Sequence, residues 1–304
     1  MSRKIAITGS TGLVGSAVVK YFQKQGDTIT PFVRPQTKMT MDQPVIRWNV
    51  AKEDIDLDNL EGQDVVIHLA GASIADKRWS NSYKQEIFKS RVDGTTLLAR
   101  TFAKLKQKPK VFLSASAIGF YGSRAPETVI DETFPQGNGF LADVCAKWEE
   151  AALIAKSAGI RTVLIRIGVV LDAKGGALAK MMPIFSFGLG GVLGDGKQMM
   201  SWVSLKEMPA MMDHVIRNPS INGPVNFTSP QTVSNREFTQ TLSSVIHRPA
   251  FLPVPNFGLR LLFGEMADAL LLEGARVKPH VLEKTGYQFK YQKLEDALKG
   301  ALQK

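Results

Sequence analysis

The stretch KIAITGSTGLVGSAVVKYF, residues 4–22, decides the fold. Ile5, Ala6 and Ile7 form an apolar run that reads as a buried strand. The run meets Thr8 and a glycine cluster, and a helical pattern begins directly behind it. Each glycine has a mechanical reason. Gly9 permits the sharp turn out of the strand, Gly12 lets a phosphate approach bare backbone, and Gly15 lets the new helix pack close to the sheet. The helix N-terminus then offers free N–H groups and the positive end of its dipole. Gly9, Ser10, Thr11, Gly12, Leu13, Val14 and Gly15 are therefore expected to hold the pyrophosphate of a dinucleotide. A plain strand–turn–helix, with glycines for packing alone, is the bland alternative.

Working outward, the chain has 304 residues, enough for a large core and one or two domains. No apolar run is long enough to span a bilayer, and no membrane partner is expected. Met1-Ser2-Arg3-Lys4 passes straight into the first strand, so a signal peptide is not expected. A single cysteine, Cys145, excludes an internal disulfide framework and fits a reducing, cytoplasmic compartment. The net charge of +10 raises the question of nucleic acid. The basic residues are scattered, as in Lys104, Lys106 and Lys108, and no basic stretch interleaves aromatics. The charge therefore reads as solvated faces and as a field that attracts an anionic cofactor, with no nucleic-acid partner expected.

The second predicted strand is TITPFV, residues 28–33, followed at once by Arg34. In a dinucleotide fold this position meets the adenosine ribose. An acid there bonds the 2′-hydroxyl of NAD, whereas an arginine accommodates the 2′-phosphate of NADP. Asp42, the nearest acid, lies too far along, so Arg34 points to NADP(H). A loop arginine in water is the alternative. Further strands read at 45–48, 64–73, 110–116 and 161–171, with helices at 80–106 and 141–157 between them. Leu69, Ala70 and Gly71 close the fourth strand and leave room for a ligand. His68, inside that strand, reads as a core histidine. Alternation of strand and helix means a parallel sheet with helices on both faces. After Leu171 the texture changes. GGALAKMMPIFSFG reads as a helix ended by Gly188, and LGGVLGDGKQ as a turn or hairpin. LKEMPAMMDHVI reads as a helix containing Pro209, and a last module begins at Arg248.

At this point TGSTGLVG, LAG and SAS followed by FYG resemble the extended short-chain dehydrogenase/reductases, the NAD-dependent epimerase/dehydratase group. The blocks LAGASIADKRW, SASAIGFYG, RIGVVLDAKGGALAKMMPIF and LLEGARVKP resemble one atypical subfamily, the "epimerase family proteins" with a C-terminal domain of unknown function. The resemblance spans nearly the whole chain. It implies an α/β fold: a Rossmann-type doubly wound parallel sheet with a smaller α+β C-terminal domain on the substrate side. The expected divisions are 1–228 for the NAD(P)-binding domain, with a Rossmann core over about 1–171, and 248–304 for the C-terminal domain. Arg78 and Val169 join the expected cofactor contacts. A homodimer through the helices after the fourth and fifth strands is expected by analogy.

The chain departs from the superfamily where the chemistry is done. The superfamily's Tyr-x-x-x-Lys supplies an acid–base tyrosine whose pKa the lysine lowers. Here Leu141 and Cys145 stand at those two positions, and no Tyr-x-x-x-Lys occurs anywhere. Ser116 keeps the expected serine place, and Tyr121 is the candidate substitute acid–base group. Other candidates are Asp143 with Lys147, one helical turn apart, the adjacent Asp131 and Glu132, and Cys145. Each has a plain reading as packing, a surface pair or a solvated turn. Lys77, Arg78 and Trp79 form a loop over the crevice. The four histidines show no metal-ligand spacing, and no Gly-x-Ser-x-Gly nucleophile elbow exists. The function these residues imply is an NADP(H)-binding oxidoreductase or epimerase acting on an unknown small, sugar-like hydroxyl or carbonyl substrate. A nucleotide-binding regulator or scaffold without catalysis is the other reading.

Overall fold

A computed structural model describes residues 2–37 and 44–303. Asp42 lies outside the described residues. The strands are β1 (Lys4–Thr8), β2 (Thr28–Val33), β3 (Ile46–Asn49), β4 (Asp54–Ile55), β5 (Val65–His68), β6 (Val111–Ala117) and β7 (Val129–Ile130). They continue with β8 (Arg161–Ile167), β9 (Val169–Asp172), β10 (Met199–Met200), β11 (Trp202–Ser204), β12 (Gly223–Phe227), β13 (Val233–Ser234) and β14 (Arg276–Val277). The helices are α1 (Leu13–Lys24), α2 (Leu57–Leu60), α3 (Asn81–Thr101), α4 (Phe140–Leu153), α5 (Gly176–Ser186) and α6 (Met208–Arg217). Then come α7 (Asn235–Ile246), α8 (Asn256–Phe263), α9 (Glu265–Ala267), α10 (His280–Lys284) and α11 (Leu294–Leu302).

Eight strands form one sheet in the order β12-β8-β6-β5-β1-β2-β3-β4, parallel except for the β3–β4 pair. The chain leaves β1 toward β2 on one side and later returns to β5 on the other. A switch point therefore falls between β1 and β5, where an open α/β sheet binds its ligand. One face packs Ile5, Ile7, Phe22, Ile67 and Leu113 with the α6 methionines. The opposite face packs Val66, Leu98, Phe102 and Phe112. Strands covered on both faces explain the continuous apolar runs in the sequence.

One expectation changes and two hold. The strand expected over 161–171 breaks at Gly168, which passes so close to Ser201 that a Cβ would lie 2.7 Å from its carbonyl oxygen. The β8 segment stays in the main sheet, while β9 pairs with β11. Pro209 lies within α6 as expected, in its first turn, where its missing N–H costs no hydrogen bond. Of the two alternatives for 189–198, turn or hairpin, the segment takes the turn, with left-handed Gly194 and Gly196.

The C-terminal elements fold back onto the sheet. Strand β14 pairs parallel with β7, and α11 packs on α7 and β9. Buried Glu207 accepts from the Tyr287 hydroxyl at 2.6 Å and the Tyr291 amide at 2.7 Å, which fastens this return.

His68 is fully buried in β5, as read from the sequence. Thr8 Oγ1 accepts from the Leu69 and Ala70 amides at 3.0 and 3.1 Å, so its own proton goes to His68 Nδ1 at 2.8 Å. Nε2–H then donates to Thr95 Oγ1 at 2.9 Å, and Thr95 donates to the Arg91 carbonyl at 2.5 Å. The imidazole is thus neutral with one tautomer, and burial lowers its pKa from 6.5 to about 4. The unfolded chain takes up this proton first, so the stabilisation is complete above pH 6.5 and is lost as pH falls through 4. Up to about 3 kcal/mol should disappear across that interval, and His68→Gln should flatten this part of the profile. Urea unfolding from pH 7 to pH 4 checks it; an unchanged slope in the variant would refute the assignment.

Candidate functional site

The glycine turn follows β1 at the switch point. Gly9 has φ +68°, the left-handed region that favours glycine. A Cβ at Gly15 would lie 2.0 Å from the Gly9 carbonyl oxygen, so the helix packs on the turn itself, more tightly than on the sheet. Gly9 also lies against the backbone of Leu69 and Ala70, where a Cβ would stand 3.1 Å away. The turn and the end of β5 therefore form one surface. Leu13 closes its other side against Gly175 in the turn after β9.

This cradle fits a pyrophosphate. Helix α1 begins at Gly12 with no side-chain cap and no acid in its first turn. Helices α3 and α7 are capped by Ser80 and Ser234, whereas α4, α5 and α8 also start without a side-chain cap but not at the switch point. Thr11 and Gly12 are exposed, and Ser10, Leu13 and Val14 are half-buried around them. The first-turn N–H groups are thus available to an anion, with no side-chain cap competing for them. Arg34 is exposed immediately beyond β2, the neighbour of β1 on the adenosine side. Val169 opens β9 and donates its amide to the Ser201 carbonyl at 2.9 Å. Arg78 is placed differently from the rest. Its guanidinium lies against Gly264, where a Cβ would be 2.9 Å from Nε, so it abuts the α8–α9 junction.

Across the crevice lies a buried polar cluster. Ser116, at the carboxyl end of β6, donates to Glu149 Oε1 on α4 at 2.7 Å. Arg166 on β8 grips the same carboxylate with Nε and one terminal nitrogen, both at 2.8 Å. Its other nitrogen donates to the Tyr121 hydroxyl at 2.9 Å, and that hydroxyl donates to Asn226 Oδ1 at 2.7 Å. Its guanidinium also stacks on Phe120, with Cζ 3.6 Å from the ring centroid.

Tyr121 is 0% exposed, and burial pushes its pKa up to about 12. Its hydroxyl is held inside the protein, which corrects the expectation that it faces a substrate as an acid–base group. Lys147 pairs with Glu150 and Asp143 accepts from Gln136, so those two share a face without pairing. Asp131 caps its own turn at Thr133, but Glu132 is buried rather than solvated. Glu132 Oε1 accepts from the Asn226 and Val281 amides, its Oε2 has no partner, and burial raises its pKa. Cys145 is buried beside Gly119, where a Cβ would lie 3.7 Å from its Sγ. Burial and then the Glu149 carboxylate push its thiol up to about 11. Among the described residues no metal-ligating cluster exists.

Sequence reasoning passed over Arg91, Glu149 and Arg166. A signal for Arg91 was present. Ile87, Arg91, Thr95 and Leu98 recur at helical spacing on the buried side of α3, and an arginine breaks that stripe. The guanidinium stacks on Trp148, with Cζ 5.2 Å from the ring centroid, and lies over Gly71, where a Cβ would be 3.3 Å away.

An open parallel sheet with an uncapped glycine turn at its switch point defines a dinucleotide-binding Rossmann protein. The chain belongs to the NAD dependent epimerase/dehydratase family, whose model matches residues 5–227; a domain of unknown function, DUF1731, matches 254–301. The chain is 39% identical over 294 residues to an epimerase family protein of Mycobacterium bovis, covering 97% of this chain and 96% of that one. The crystal structure of human epimerase family protein SDR39U1 with NADPH aligns with TM-score 0.88 at 29% identity, covering 98% of each chain. A nucleoside-diphosphate sugar epimerase of Corynebacterium glutamicum aligns with TM-score 0.80 at 31% identity, over 99% of this chain and 58% of that one. No described helix is long and apolar enough to cross a membrane.

Glu149→Leu should cost about 3 kcal/mol, because it leaves the Arg166 charge buried without its counter-ion, and Arg166→Met strands the carboxylate in the same way. Replacing both, Glu149→Leu with Arg166→Met, should cost less than the two single losses added together. Urea denaturation of the three variants tests this; strictly additive losses would contradict it.

Proposed function

We propose that the protein binds NADP(H) and acts as an oxidoreductase or epimerase on a small, sugar-like hydroxyl or carbonyl compound. The observation that carries the cofactor reading is the uncapped, acid-free start of α1, with Arg34 as the first residue beyond β2. An anion seats on the free N–H groups, and the guanidinium meets a 2′-phosphate in a charge-assisted, bidentate pair. The NADPH named with the human relative supports the same choice.

Bound NADPH supplies a hydride to a carbonyl carbon, and NADP⁺ accepts one from an alcohol carbon. The residues of the chain hold and orient. Ser116 gives its proton to Glu149 and is 2% exposed, so any part it takes at a substrate oxygen is through its lone pairs, as an acceptor, and not as a proton donor. Leu141 transfers no proton. Cys145 stays a neutral thiol at neutral pH and supplies no cation.

A second reading is a regulator or scaffold that binds NADP(H) without turnover. It is favoured by one observation: the protons of both Ser116 and Tyr121 are committed inside the protein. Purified protein with NADPH and a panel of aldehydes, ketones and nucleoside-diphosphate sugars, followed by absorbance, separates the two. Turnover supports the enzyme; tight binding with no turnover across the panel supports the regulator.

For the cofactor, Arg34→Ala should weaken NADPH binding about tenfold or more and leave NADH binding nearly unchanged. Fluorescence titration reads both. Equal affinities for NADPH and NADH in the parent would mean that Arg34 does not read the phosphate.

A further inference from the structure

Arg91 is a half-buried cation whose carboxylate is missing. Among the described residues it makes no ion pair, whereas Arg3, Arg166, Arg217 and Arg260 each hold an aspartate or glutamate. Its one hydrogen bond runs back along its own helix to the Ile87 carbonyl at 3.1 Å. Arg124, Arg161 and Arg276, the other partly buried arginines that form no ion pair, each donate to backbone carbonyls of other segments, Arg161 to four of them. Burying a guanidinium without an anion is costly, and burial opposes the charge here.

The surroundings of Arg91 say where its anion comes from. Gly71 ends the β5 segment beside the glycine turn, and its lack of a side chain leaves the guanidinium room at that edge. Trp148 lies on α4, behind β6, and stacks on the cation. Cys145, on the same helix, stands at the position aligned with the superfamily's lysine and supplies no cation there. Arg34 marks the adenosine side at β2. The order β6-β5-β1-β2 therefore puts Arg91 on the opposite side of the pyrophosphate cradle.

We propose that Arg91 is a cofactor-binding residue that grips the nicotinamide-side phosphate and ribose oxygens of the dinucleotide, supplying from α3 the cation that α4 lacks. This rests on the reading that the crevice holds NADP(H). Its free N–H donors match phosphate and ribose oxygens, and the stack on Trp148 fixes the plane in which they point.

The test compares whole and half cofactor. Arg91→Met keeps the length and the apolar contact with Trp148, and Arg91→Lys keeps the charge. NADPH affinity is read by fluorescence and adenosine 2′,5′-bisphosphate affinity by calorimetry, with thermal unfolding as the check on folding. Arg91→Met should weaken NADPH about tenfold, leave adenosine 2′,5′-bisphosphate unchanged, and be largely rescued in Arg91→Lys. Equal weakening of both ligands, or of neither, would overturn the assignment. A parent protein that binds adenosine 2′,5′-bisphosphate but gains nothing from the nicotinamide half would also overturn it. A parent that binds neither ligand would strike the cofactor reading itself.

Discussion

The site depends on one buried ion pair, Arg166 with Glu149. The two side chains are 5% and 8% exposed, so neither charge is solvated, and each relies on the other. Removing a partner would strand a charge in low dielectric. The pair joins β8 to α4. Through Ser116 it adds β6, through Tyr121 and Asn226 it adds β12, and Asn226 donates on to the Lys278 carbonyl in the C-terminal segment. The contact therefore sets where α4 lies over the carboxyl ends of the strands. Stacking on Phe120 covers the guanidinium face that hydrogen bonds leave open.

That arrangement changes the chemistry the superfamily positions can offer. A serine that donates to a buried carboxylate presents lone pairs, not a proton. A tyrosine with its pKa near 12, held between an arginine and an asparagine, stays protonated at neutral pH. A thiol near 11 is a neutral body where a lysine would be a cation. Each shift has desolvation as its largest cause. Burial that tightens the fold and burial that removes catalytic reach are here the same event. What stays open to a ligand is the glycine cradle and the guanidinium over Gly71.

Much of the Rossmann half was legible in the sequence because its determinants are local. The turn at Gly9, the length of β2 and the apolar run of β5 follow from backbone sterics and periodicity over a few residues. The break at Gly168 was not legible, because β9 leaves the main sheet to pair with β11, which lies about thirty residues further along the chain. The burial of Glu132 and Glu149 was hidden for the same reason: their partners Asn226, Val281 and Arg166 arrive from other elements. Arg78 and Arg91 show the limit most clearly. A loop arginine near the crevice drew attention by proximity in sequence, while the arginine on the buried stripe of α3 reached Gly71 through tertiary packing.

A hydrogen-bond chain connects the two legible and illegible parts. It starts at the Leu69 and Ala70 amides, passes through Thr8 and His68, and ends from Thr95 on the carbonyl of Arg91. Every donor and acceptor in it is fixed once Thr8 accepts two amides. Reversing the imidazole tautomer would put two protons between Thr8 and Nδ1 and none between Nε2 and Thr95 while Thr95 still donates to Arg91. The chain therefore has one low-energy state, and it ties the end of β1, the end of β5 and the middle of α3 into a single rigid unit. The glycine cradle and Arg91 hang on opposite ends of that unit. A long side chain with several rotatable bonds makes a precise ligand contact only when its backbone is pinned and its head is stacked. Thr95 supplies the first condition and Trp148 the second, so the placement of this arginine is set by the same residues that build the turn.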